Sequence, residues 1–144
     1  MWILYALAAA LIWGVNYAAS GRVLQRGLSP AGLFFCDLLF GLLALGGYFT
    51  VTGRWVATFQ GARQLGGQWP WLAVGMAASA AAAWLSFLAI ANKNATLASL
   101  IEISYPLFVA LFAWLFFRET QLSWPTAVGG AFVLTGVGII YRYA

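Results

Sequence analysis

Five apolar stretches, each long enough to cross a bilayer as a helix, take up nearly all of this chain, and the charges fall at their ends or in the joints between them. The two exceptions, Asp37 and Glu102, are both carboxylates inside a stretch. A hydrocarbon core needs about 20 helical residues to span, and the stretches run over about 2 to 21, 30 to 52, 69 to 91, 95 to 117 and 124 to 142. With 64% hydrophobic and 7% charged residues in a chain of 144, water is the wrong solvent for this molecule. A soluble domain so small has too much surface to hide that apolar content. The expected fold is therefore an all-α integral membrane protein, one five-helix unit over residues 1–144.

Prolines and polar caps fix the register of the spans. Pro30, Pro70 and Pro125 stand in the first turn of a proposed helix, where the missing N–H costs nothing. Ser29 and Ser123 precede two of these prolines and are expected N-caps. Trp69, Trp71, Trp124, Tyr141 and Tyr143 cluster at the ends, as amphipathic rings at headgroup level should. The first stretch lacks a basic flank and carries Asn16 and Tyr17, so it reads as a retained span and not as a cleaved leader. Between the second and third spans, residues 53 to 68 are either a solvated loop or a short interfacial helix. In the second case Trp55, Phe59, Ala62 and Leu65 share a face and Arg54 and Arg63 anchor it. Small residues every four positions, Ala6, Ala10, Gly14 and Ala18 in the first span and Gly75, Ser79 and Ala83 in the third, predict close helix packing for both.

Charge distribution bears on assembly. Arg54, Arg63 and Arg118 lie on the side of the N-terminus, against Arg22, Arg26, Lys93 and Arg142 on the other. A chain oriented by its basic loops shows a clear excess on one side, and three against four is none. Copies inserted both ways, pairing as an inverted (antiparallel) homodimer, are the expectation, because carriers commonly set inverted repeats around a central site. A single orientation, or a partner of opposite orientation from a related chain, stays open as the alternative. The basic residues are scattered singly, so no nucleic-acid stripe is indicated. The single cysteine, Cys36, cannot form an internal disulfide.

Glu102 lies seven residues into the fourth span, about 10 Å along the helix axis. Insertion scales charge about 2.5–3.5 kcal/mol for an ionised side chain placed centrally, so such a residue faces a cavity or a partner and is a candidate for proton or substrate binding. Pro106, four residues later, has no N–H to offer the Glu102 carbonyl, which predicts a helix break at that level. Asp37 lies equally far into the second span, which starts from the same membrane face. Asn16 approaches this level from the first helix, with Trp13 and Tyr17 on neighbouring turns. If these helices are neighbours, Asn16, Asp37, Glu102 and Tyr105 form a polar cluster walled by Trp13 and Tyr17, able to hold a proton or a cation. With no His, no metal-ligand cluster and no nucleophile beside a base, neither catalysis nor a metal or cofactor is expected.

The run Asn94-Ala95-Thr96-Leu97-Ala98-Ser99-Leu100, then Tyr105-Pro106-Leu107, Phe116-Phe117-Arg118-Glu119, Gly129-Gly130 and Gly136-Val137-Gly138 resembles an EamA-type unit of the drug/metabolite transporter superfamily. So does Trp13-Gly14-Val15-Asn16-Tyr17. Ten-helix members of that family carry two such units with inverted topology, and many export metabolites or drugs across the bacterial inner membrane. The resemblance implies a half-size secondary transporter, a proton-coupled exporter or antiporter of a small metabolite or amphipathic cation, working as a dimer in a lipid bilayer. It also implies Pro106 as the break in the fourth helix, Glu119 as the acid closing the last hairpin, and Gly129 and Gly136 as packing positions. Two departures stand out: Asp37 lies where many relatives are basic, and Arg118 where glycine often precedes the hairpin acid. Half of a heteromeric lipid-carrier flippase and a non-transporting membrane scaffold remain the alternatives.

Overall fold

The computed structural model describes residues 1–120 and 123–143. Among the described residues, five helical segments are long and apolar enough to cross a membrane: Trp2–Gln25, Pro30–Thr52, Gly66–Asn92, Ala95–Phe117 and Trp124–Tyr143. Within them run the helices α1 (Trp2–Gln25), α2 (Pro30–Thr52), α4 (Trp69–Asn92), α5 (Ala95–Glu102), α6 (Tyr105–Phe112) and α7 (Trp124–Tyr143), and a nine-residue helix α3 (Trp55–Arg63) joins the second span to the third. This is an all-helical integral membrane architecture with the expected five spans. The boundaries follow their caps. Ser29 Oγ accepts from the Gly32 N–H at 3.0 Å ahead of Pro30, and Asn94 Oδ1 accepts from the Leu97 N–H at 2.8 Å to start α5. Gly53, at φ 65°, takes the left-handed conformation that ends α2 and turns the chain into α3.

The core sits at one end of the bundle. Phe87, Ile90 and Ala98 are buried there, with Tyr17, Leu24, Leu33, Phe34 and Ala95 packed around them. These residues come from the last turns of α1 and α4 and the first turns of α2 and α5, which all lie toward one membrane face. Phe34 sets its ring against Trp84 at 5.9 Å and Phe87 at 6.3 Å, tying α2 to α4. Gly21 is the close-approach point of α1: a Cβ there would stand 3.1 Å from the Ala95 Cβ. We expect Gly21→Leu to force α1 away from α5 and to cost about 1–3 kcal/mol, the usual range for overpacking, read as a lowered unfolding temperature in detergent.

Toward the opposite face the helices part. Ala6, Ala10, Gly14 and Ala18 are all exposed, as are Gly75 and Ser79, and only Ala83 of the two predicted small-residue stripes is partly buried, so the stripes are not where the chain closes on itself. Ser20 and Gly21 are the buried small residues of α1 instead. Aromatic contacts keep the third and fourth spans together at this end, with Trp71 against Phe117 at 4.7 Å and Phe116 at 5.7 Å. The total accessible surface is 11225 Å² for a 15.5 kDa chain. A compact monomer of that mass exposes about 7,200 Å². The single chain is thus an open bundle whose inner faces are only partly used.

Candidate functional site

The fourth span is divided beside its acid. α5 stops at Glu102, Ile103 and Ser104 form a turn, and α6 restarts at Tyr105 with Pro106 in its first turn. The Ser104 N–H bonds back to the Ile101 carbonyl at 3.2 Å and the Leu107 N–H to the Ser104 carbonyl at 3.1 Å, tighter i−3 links in place of the α-helical ladder. Pro106 has no N–H for the Glu102 carbonyl. The break therefore lays the Glu102 side chain and its own carbonyl at one level, inside the span.

Glu102 is half-buried, and the Tyr17 hydroxyl donates to its Oε2. Tyr17 belongs to the core-facing stripe of α1, so this bond ties the first span to the end of α5. Ser86 of α4 also lies against the Tyr17 phenol. Trp13, one turn earlier on α1, meets the Tyr17 ring edge-on at 6.0 Å and 62°. In front of the carboxyl opens a groove of ≈ 400 Å³, lined by Ala82, Leu85, Ser86, Ala89, Glu102 and Tyr105. At about 100° per residue the four α4 positions fall on the side of that helix roughly opposite Phe87, so the groove is separate from the core. Small residues at 82, 86 and 89 make the room. Tyr105, 65% exposed, stands at its edge.

The two remaining candidates stand differently. Asn16 is half-buried next to Tyr17, and among the described residues it bonds to neither Glu102 nor Asp37. Asp37 is exposed, with no partner among the described residues. It shares a stripe of α2 with Leu33 and Phe34, four and three positions earlier, which pack on the core. Asp37 thus faces the same way one turn farther along, where the helices part. α2 and α5 each pack on α4 and α1. The structure joins Tyr17 and Glu102, sets Tyr105 beside them and Trp13 behind them, and leaves Asp37 apart.

Ser86 was not singled out from the sequence. Ala82, Ser86 and Ala89 share a face of α4, but small residues recur all round that helix, so their spacing alone does not mark the site. Arg118 takes φ 59°, the left-handed conformation that glycine adopts freely, which explains why glycine suits this position. Its guanidinium lies over the Trp114 ring at 5.5 Å, a contact that offsets part of the backbone cost. Glu119 follows at the surface and does not line the groove. Gly130 lies against Leu107 and so packs α7 on α6, whereas a Cβ at Gly129 or Gly136 would meet nothing within 4 Å.

No curated protein and no solved structure matches the chain. The sequence profile described as the EamA-like transporter family matches residues 1–142.

Proposed function

Because the chain belongs to the EamA-like transporter family, we propose that it is a secondary active transporter in which Glu102 trades a proton for a small amphipathic cation. The observation that carries this reading is the Glu102 carboxyl opening on a groove while one of its oxygens is held by Tyr17. A carboxylate has two acceptor oxygens. With Oε2 occupied by the phenol, the other is available to a proton or to a cationic group, and not to both at once. Competition of that kind makes the release of one the condition for binding the other. The walls from Ala82, Leu85 and Ala89 suit the apolar body of such a cation.

A second copy, inserted upside down, completes the device. The near balance of Arg and Lys between the two faces supports insertion both ways, and the surface left open by one chain supports a partner. An inverted pair sets each groove off the midplane on its own side, so rocking one chain against the other exposes them in turn. We assign the protein to the plasma membrane of a bacterium, in line with its family.

The test is uptake of tetraphenylphosphonium and a series of smaller organic cations into vesicles containing the purified protein, acidic inside. Accumulation that collapses with the pH gradient is expected; a series in which the gradient drives no cation contradicts the reading. In the same assay Tyr17→Phe keeps the ring packing and removes one hydrogen bond to a charged group. It should lower transport roughly tenfold, the loss that about 1.5 kcal/mol represents.

A further inference from the structure

α3 stands off from the bundle. Gly53 turns the chain out of α2, and α3 touches the spans through aromatic contacts at the end of α2. Trp55 packs on Phe49 at 5.3 Å, and its indole N–H donates to Thr50 Oγ1 at 3.2 Å. Phe59 stacks on Trp55 at 6.1 Å. At about 100° per residue, Trp55, Phe59 and Ala62 share one side of the helix with Val56 on its flank, and Ala57 and Gly61 lie opposite. Val56 is 65% and Phe59 61% exposed, so the protein does not cover this face. Residues 53 to 68 carry Arg54 and Arg63 and no acid. Arg54 lies over the Tyr48 ring at 5.8 Å, while among the described residues nothing pairs with Arg63.

We propose that α3 is a lipid-binding element at the membrane surface. It seats Trp55, Val56 and Phe59 among the upper acyl chains and holds the phosphates of anionic phospholipids with Arg54 and Arg63. The occupant follows from the two chemistries together. A short helix with one apolar side lies in the plane of the interface, where its aliphatic and aromatic groups leave water. Two arginines at its ends, with no carboxylate between, attract negative headgroups, and a long side chain reaches them from an apolar face. A soluble acidic partner would satisfy the arginines and leave Val56 and Phe59 in water.

The experiment uses the full chain in vesicles of phosphatidylcholine with phosphatidylglycerol. In a Cys36→Ser background, nitroxide labels are placed at Phe59→Cys and at Gly61→Cys. The label at 59 should be reached by oxygen and shielded from a water-soluble relaxant, and the label at 61 the reverse. In addition, the ratio of phosphatidylglycerol to phosphatidylcholine retained by the detergent-purified protein should fall about fivefold for each arginine removed in Arg54→Gln and Arg63→Gln. Equal water access at 59 and 61, or a retained-lipid ratio unchanged in the double variant, overturns the proposal. Neither readout needs transport, so the outcome is independent of the function assigned to the groove.

Discussion

Glu102→Gln is expected to abolish proton-driven transport while leaving the protein folded. Glutamine has nearly the same shape, and its amide oxygen still accepts from the Tyr17 hydroxyl. It cannot take up or release a proton, and it has no charge to offer a cation in the groove. Losing the charge that a cation meets in the groove removes a charge-assisted contact of about 1.5–3 kcal/mol, roughly ten- to a hundredfold in binding. Gradient-driven uptake should fall by at least that factor, with helix content and detergent elution unchanged. Glu102→Asp keeps the charge but draws it back from Tyr17, and should retain partial activity. Full activity in the glutamine variant would instead make the carboxyl interhelical glue, the role it has in a scaffold.

The second large effect concerns assembly. Gln64 and Gln68 lie on the face that carries Arg54, Arg63 and Arg118; Gln25 and Asn92 lie on the opposite one. The variant Gln64→Arg/Gln68→Arg/Arg22→Gln/Arg26→Gln sets the first face at five basic residues against two, and Gln25→Arg/Asn92→Arg raises the second to six against three. Each bias should drive insertion toward one orientation. Expressed alone, each variant is expected to lose most transport, because no inverted partner remains. Expressed together, the two should recover it. A variant fully active alone, with all its copies in one orientation, would show that one chain or a parallel pair suffices.

The spans were legible because bilayer thickness leaves few choices: an apolar run of about 20 residues, marked in the second and fifth by a proline in the first turn and a serine ahead of it. The end of α2 at Gly53 and the start at Ser29 follow from local chemistry alone. The level of Glu102 within its span was equally readable, since it needs only a residue count. What the sequence could not supply was adjacency. Asp37 and Glu102 lie at comparable depth, yet the Asp37 stripe of α2 runs on from Phe34, which packs on Trp84 and Phe87, while Glu102 lines the groove with Ala82, Leu85, Ser86 and Ala89 of α4. Depth is set along one chain; neighbourhood is set by side chains from three. The small-residue rule misled for the same reason. Gly14 and Ala18 suit close packing, but Gly21 is the position that meets another helix, because the spans cross near one end and diverge beyond it. Ser86 escaped notice because one of two serines in an alanine-rich helix carries no mark until Tyr17 lies against it.

The most direct test of the exchange at Glu102 is proton release from the detergent-purified protein, in weakly buffered solution, on addition of tetraphenylphosphonium or the other cations of the series. A cation that binds the wild-type protein should release protons in proportion to the Glu102 sites it occupies, and should release none from Glu102→Gln. Release of equal size from the variant, or cation binding with no proton released at any pH, would contradict the account.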